Sequence, residues 1–189
     1  QQTALENGCG IVSWGRSAIV QHSGPDALDL LHRLTTKELL SVPTGHAART
    51  ALASVKGRVV DVFLVAHVSE NQLILISDSS DSERLVAAID YYTIIEDADL
   101  ADLTESHKRI SLIGPNARTL VESVLGVAVD DDVATAATFA GGNITVISDT
   151  SRTVDWFDVV AENVAFDELA QAFESSGATV VDQANFELF

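Results

Sequence analysis

Methionine is absent from the 189 residues, cysteine occurs once and proline three times. A natural gene product begins with methionine, so Gln1 is expected not to be the native start. The single Cys9 excludes an internal disulfide and any multi-cysteine zinc site, which fits a reducing compartment. It is expected to act as a small hydrophobe near the start of a strand. No apolar run approaches the roughly 20 residues that a spanning helix needs, and no signal-peptide pattern opens the chain. The expectation is therefore a cytoplasmic protein with no membrane partner. Basic residues are also scarce: 11 Lys and Arg face 28 Asp and Glu, a formal charge of −17. Nucleic acid and anionic lipid both need a basic surface, so neither is expected as the main partner. The acids are spread along the chain, with one short run at Asp130 to Asp132, which reads as a solvated surface.

The chain is rich instead in apolar material, set in a regular pattern. Apolar residues make up 47% and charged residues 21%, so disorder is excluded and a sizeable core is available. The pattern repeats. "VQHSGPDALDLLHRL" (20 to 34) and "ISLIGPNARTLVESV" (110 to 124) each run from an apolar strand end through Gly-Pro into an amphipathic helix, at an offset of 90 residues. Ala27, Leu30, Leu31 and Leu34 form one helical stripe, and Ala117, Leu120, Val121 and Val124 repeat its spacing. Pro25 and Pro115 suit the first helical position, with Asp26 complementing the helix dipole. A single glycine followed by a proline that has lost its N–H makes a poor phosphate cradle, so these turns read as architecture.

The segments C-terminal to the two helices match as well. Residues 47–53 and 59–68 read as a hairpin, 73–77 as a third strand and 81–92 as a helix. In the second half, 134–140 and 144–148 flank a Gly141-Gly142-Asn143 turn, followed by a strand at 154–160, a helix carrying Phe166, Leu169, Ala170 and Phe173, and a last strand at 179–182. Each half thus reads strand, helix, three strands, helix, strand. The expected fold class is α+β, two pseudo-repeated units of antiparallel strands with packed helices, divided as residues 1–104 and 105–189.

One carboxylate interrupts this regularity. In "SVKGRVVDVFLVAHV" (54 to 68), strict alternation puts Val60, Val62, Leu64, Ala66 and Val68 on a wholly apolar face, expected to be core. Val59, Asp61, Phe63, Val65 and His67 fall on the other. Asp61 and His67 lie about 20 Å apart at 3.3 Å per residue, too far to share a proton. Asp61 then either caps a turn or pairs with Arg58 or Lys56 at the rim, or points into a pocket walled by Val59 and Phe63 and accepts N–H donors from a flat, mostly apolar ligand. Periodicity leaves both readings open. No metal is expected: His22, His32, His46, His67 and His107 never fall at ligand spacing. No Walker loop, dinucleotide fingerprint or nucleophile elbow is present, and Trp14 and Trp156 read as core or rim aromatics.

Three stretches in order, "SGPDALDLLHRLTT", "KGRVVDVFLV" and "LIGPNARTLVESVL", resemble the aminomethyltransferase family. That family includes the glycine-cleavage T-protein (GcvT) and the YgfZ-type folate-binding proteins linked to iron–sulfur enzymes. The resemblance covers most of the chain and implies the GcvT/YgfZ folate-binding fold, with tetrahydrofolate as the bound small molecule. It places Asp61 at the family's folate-facing carboxylate, beside the nitrogens that hold the one-carbon unit, where in a transferase it would steer protons; the strand phase adds Val59 and Phe63 as the neighbouring folate contacts. Two positions depart from the T-protein pattern. Val60 stands where T-proteins carry a first acid, and Lys56 stands where they usually have glycine, both closer to the YgfZ type. The family's Arg-x-Glu-x-Gly segment, its C-terminal barrel and the YgfZ Lys-Gly-Cys motif would fall beyond residue 189, so the 189-residue chain is expected to be inactive by itself. The implied function is a YgfZ-like tetrahydrofolate-binding protein that supports iron–sulfur enzyme maintenance or one-carbon metabolism. The alternatives are an aminomethyltransferase and a non-catalytic module of a larger oxidoreductase. An iron–sulfur enzyme or a lipoyl carrier protein would be the protein partner.

Overall fold

A computed structural model describes Leu5 and residues 7–183. They fall into two compact units. One spans Arg16–Glu105, and the other joins the residues up to Gly15 with those from Ser106 onward. The division expected at 104/105 assigned the first strand to the wrong half. That strand, β1 (Gly10–Trp14), pairs antiparallel with β7 (His107–Ile113) along its whole length, so backbone hydrogen bonding ties it to the second unit.

The first unit contains β2 (Ile19–Ser23), α1 (Ala27–Leu34), β3 (Ala47–Ala53), β4 (Val59–Ser69), β5 (Gln72–Ser77), α2 (Ser82–Asp90) and β6 (Asp99–Asp102). Its sheet has the order β3-β4-β5-β2-β6, with every pair antiparallel. The second unit continues from β7 with α3 (Ala117–Leu125), β8 (Ala134–Phe139), β9 (Gly142–Ser148), β10 (Trp156–Glu162), α4 (Asn163–Ser175) and β11 (Thr179–Val180). Its sheet runs β8-β9-β10-β7-β1-β11. The first four strands of the two sheets therefore follow one plan, as the repeated sequence predicts.

The plans part at the next position. In the first unit β6 lies directly against β2, whereas in the second β1 takes that place and β11 pairs parallel with β1 instead. The glycines of the two Gly-Pro turns show why these strands are equivalent. Gly24 has φ +127°, and a Cβ there would lie 2.2 Å from the Asp97 carbonyl oxygen, just before β6. Gly114 has φ +120°, and its Cβ would lie 2.6 Å from the Gly8 oxygen, just before β1. Two residues on, Asp26 N donates to Asp97 O and Asn116 N donates to Gly8 O, at 3.3 and 3.1 Å. Each turn is a gate through which the neighbouring strand enters, and only glycine combines that φ with that approach. The helices begin later than the prolines suggest: Ala27 and Ala117 are the first helical residues, and the Asp26 carboxylate accepts from Asp97 N rather than capping α1.

Helix faces meet the sheets as their periodicity requires. Ala27, Leu30 and Leu31 of α1 and Leu85 and Ile89 of α2 pack with Val20, Leu52, Phe63, Val65, Leu73 and Leu75. In the second unit Ala117, Leu120 and Val121 of α3 and Ala165, Phe166, Leu169 and Phe173 of α4 cover Ile110, Leu112, Val146, Phe157 and Val159. Leu34 and Val124 are only partly buried at the ends of their stripes. The hairpin expected around Gly141-Gly142-Asn143 is tighter than that: Phe139 pairs with Gly142, and the two loop residues Ala140 and Gly141 both have positive φ. Such a loop matches the twist of its strands.

Strict alternation misassigned the faces of β4. Leu52 pairs with Asp61 and Ala53 with Val59, so Val60 is an extra residue in a bulge, and the phase changes at that point. The face carrying Asp61, Phe63 and Val65 is the one turned to the helices, and Val60 joins it. On the opposite face Leu64 and Ala66 are buried as well, while Val62 is 38% exposed. A strand buried on both faces over its middle shows no clean alternation.

Candidate functional site

Asp61 lies at the start of β4, where a tight turn feeds the chain into the bulge. Gly57, at φ +70°, donates its N–H to Ser54 O at 2.8 Å, and Ser54 N donates to Arg58 O at 2.8 Å, closing the turn. The Ser54 hydroxyl accepts from Arg58 N at 3.2 Å. The bulge beyond this turn directs Val59 outward, 63% exposed, and leaves Asp61 only 9% exposed.

The Asp61 carboxylate is held by one of its two oxygens. Oδ1 accepts from the Ser77 hydroxyl at 2.7 Å and from the Val62 N–H at 2.7 Å. Among the described residues no donor reaches Oδ2, and neither Lys56 nor Arg58 forms an ion pair with the group. Burial raises the carboxyl above the ordinary aspartate range. The two hydrogen bonds and the positive charge of Arg84 on α2 pull it down, and the charge of Asp78 pushes it up. Asp78 is itself bound to Arg49 Nη1 at 2.9 Å. The result is a mostly desolvated acceptor with one oxygen saturated and the other available, suited to an N–H donor brought by a ligand.

The three residues expected to form the site separate in the structure. Phe63 is fully buried between Thr50 and Ser77 in the helix-facing core and offers a ligand no surface. Val59 is exposed on the far side of the bulge. Of the three, Asp61 alone is a polar group, nearly buried and with one oxygen unmet. His67, at the other end of β4, is occupied by the 42–46 loop, with Nδ1 3.0 Å from Val42 O and Nε2 3.5 Å from Thr44 Oγ1. Cys9 is buried, and burial pushes its thiol up to about 11. Among the described residues, no group of three or more His, Cys, Asp or Glu could hold a metal ion.

Reading single strands missed two features. Ser77 closes an apolar strand and becomes important only because β5 lies beside β4. The other is a charged cluster in the second unit. Arg109 Nε and Nη2 bind both oxygens of Asp158 at 2.8 and 3.0 Å, and Ser111 Oγ donates to Asp158 Oδ1 at 2.5 Å. Ser111 in turn accepts from Trp14 Nε1 at 2.7 Å, and the guanidinium lies 4.7 Å from the centre of a Trp14 ring. Arg109, Ser111 and Asp158 are all fully buried. The pattern that could have shown this is the polar phase common to Arg109, Ser111 and Asp158, but it emerges only when β7 and β10 are set in register. With both carboxylate oxygens engaged and no surface, this cluster holds the sheet together and leaves nothing for a ligand. Asp61 differs by its open oxygen.

Among the described residues, two sheets thus share one strand plan, each Gly-Pro turn is a glycine gate, and Asp61 stands with one oxygen unmet at the head of a bulged strand. The chain belongs to the GCVT N-terminal domain family, whose model matches residues 2–153. Among curated proteins it is similar to the aminomethyltransferase of Bacillus velezensis, with 25% identity over 94% of this chain and 50% of that protein. It is also similar to the aminomethyltransferase of Lysinibacillus sphaericus, with 25% identity over 68% of this chain and 35% of that protein. Of solved structures, the glycine cleavage system aminomethyltransferase T of Bartonella henselae superposes with a TM-score of 0.83 at 12% identity, over 95% of this chain and 49% of that one. A chain of the heterotetrameric sarcosine oxidase of Corynebacterium sp. U-96 gives a TM-score of 0.60 at 12% identity, over 92% and 87%. These two likenesses are of fold. The chain spans about a third to a half of the length of the curated relatives it matches.

Proposed function

We propose that this domain binds tetrahydrofolate through Asp61, with the open oxygen Oδ2 accepting an N–H from the folate beside the nitrogens that carry one-carbon units. The observation that carries the reading is the state of that carboxylate. A carboxylate 9% exposed with one oxygen unmet is costly unless a ligand or water completes it, and an N–H donor on a largely apolar ring suits it. Membership of the aminomethyltransferase family supports folate as the source of the donor. Tetrahydrofolate therefore fits the residues present, with Asp61 as its polar anchor.

Binding in support of another enzyme, as in the YgfZ-type proteins, is the form we favour over one-carbon transfer. Val60 occupies the position of the T-protein's first acid and packs into the helix-facing core, so the domain presents one carboxylate rather than two. An iron–sulfur enzyme would be the partner in this reading, and a lipoyl carrier protein in the transferase reading. Titration of tetrahydrofolate into the full-length gene product and its Asp61→Asn variant tests the anchor. The amide keeps the shape and loses the charge, so affinity should fall by about tenfold or more, the worth of one charge-assisted hydrogen bond. Equal affinity in the two proteins would make Asp61 a structural residue. Turnover of an aminomethyl-loaded carrier protein by the wild type would favour the transferase reading.

A further inference from the structure

We propose that Ser77 is a positioning residue for Asp61, locking the carboxylate through Oδ1 so that Oδ2 is the oxygen presented to the ligand. The proposal rests on the reading of Asp61 as the folate anchor, and its geometric part stands on the hydrogen bonds around Ser77. The Ser77 hydroxyl accepts from Ser79 N at 2.9 Å and lies 2.7 Å from Asp61 Oδ1. An acceptor role toward an amide fixes the direction of the hydroxyl, so its single proton goes to the carboxylate. The serine backbone is fixed as well. Its N–H donates to Ala18 O at 2.9 Å, and its carbonyl accepts from the Ser17 hydroxyl at 2.6 Å. Ser77 is fully buried.

The Val62 N–H supplies the second donor to Oδ1 from Asp61's own strand. Two donors on one oxygen and none on the other hold the carboxylate plane in one orientation and leave a single acceptor for an incoming N–H. The same device closes on itself in the second unit. Ser111 accepts from Trp14 Nε1 and donates to Asp158, but there Arg109 takes up the remaining oxygen. A serine oriented by an N–H and aimed at a carboxylate thus serves structure in one unit, where the second oxygen is filled, and ligand binding in the other, where it is open. Because the hydrogen bond from Ser77 also favours the ionised form, it keeps Asp61 a carboxylate at lower pH than burial alone would allow.

The test measures the Asp61 carboxyl directly, by its side-chain carbon resonance as a function of pH, in the wild type, Ser77→Ala, Ser77→Cys and Ser77→Thr. Expected is a titration at higher pH in Ser77→Ala and Ser77→Cys, which lose or weaken the donor, and a return toward the wild-type value in Ser77→Thr, which keeps a hydroxyl. Tetrahydrofolate affinity at pH 7 should fall roughly two- to tenfold in Ser77→Ala and recover in Ser77→Thr. The thiol of Ser77→Cys fills the site, so this arm remains if the alanine variant does not fold. An unchanged Asp61 titration in both Ser77→Ala and Ser77→Cys overturns the positioning role whatever folate does. A raised titration with affinity unchanged also overturns it. If affinity is indifferent to Asp61→Asn as well, the folate reading of Asp61 has failed with it. If Asp61→Asn does weaken binding, only the role of Ser77 is lost.

Discussion

Removing Asp158 should destabilise the protein about as much as truncating a large apolar residue of the same sheet, and removing Arg109 with it should restore much of the loss. Asp158→Ala leaves the Arg109 guanidinium fully buried without its two-bonded partner, and it strips the Ser111 hydroxyl of its acceptor. Breaking a buried pair by removing one member costs about 3 to 5 kcal/mol, chiefly because a buried charge loses the carboxylate that offset it. The double variant Arg109→Met, Asp158→Leu removes that charge. It loses the guanidinium contact with Trp14, worth up to about 2 kcal/mol, and leaves the Ser111 proton without an acceptor at about 1 to 3 kcal/mol. It gains the desolvation relief that often makes apolar replacements of buried pairs neutral or stabilising by about 1 to 4 kcal/mol. On balance it should be more stable than Asp158→Ala, in which the charge stays buried. Urea denaturation of the wild type, the two single variants and the double variant closes the cycle, provided the m-value is shared. A loss below about 1 kcal/mol for Asp158→Ala, or single effects that simply add, would refute the argument that the pair acts as one buried unit.

The helix faces predict that Leu31→Ala costs about 2 to 5 kcal/mol, read from the same denaturation curves, whereas a surface-like loss below about 0.5 kcal/mol would contradict its full burial. Gly24→Ala should be destabilising, because its Cβ meets the Asp97 carbonyl at 2.2 Å and φ is +127°. An alanine variant as stable as the wild type would show that β6 does not depend on that gate. His22 is fully buried with Nε2 making no hydrogen bond, and burial lowers its pKa despite Asp99 O at Nδ1 and the Asp99 charge. The unfolded chain takes up a proton near pH 6.5 and the native state does so only at lower pH, so this residue's contribution to stability is lost as pH falls below about 6.5. His22→Leu should therefore lose less stability between pH 7 and pH 5 than the wild type, and an identical pH dependence in the two would rule this out.

Sequence alone determined the repeated plan. The stripes at Ala27, Leu30 and Leu31 and at Ala117, Leu120 and Val121 lie 90 residues apart, and each points its helix at a sheet because a helical period of 3.6 leaves only one apolar side to bury. The Gly-Pro turns could likewise be read as architecture from composition, although what their glycines admit, the carbonyls of Asp97 and Gly8, comes from distant parts of the chain. Asp61 was legible as an anomaly in an apolar strand. Its neighbours were not, since one extra residue at Val60 shifts the phase of β4, and a bulge is a property of two paired strands rather than of either one. For the same reason β1 could not be assigned to its unit from its own five residues. A strand's partner is chosen by the free edge it finds, and β7 offered one. Ser77 at Asp61, and Arg109 and Ser111 at Asp158, are ordinary polar residues in their own strands. They become a donor to a buried carboxylate and a buried ion pair only where antiparallel register sets them within hydrogen-bonding distance, which is why tertiary structure alone distinguishes the carboxylate with both oxygens engaged from the one with an oxygen unmet.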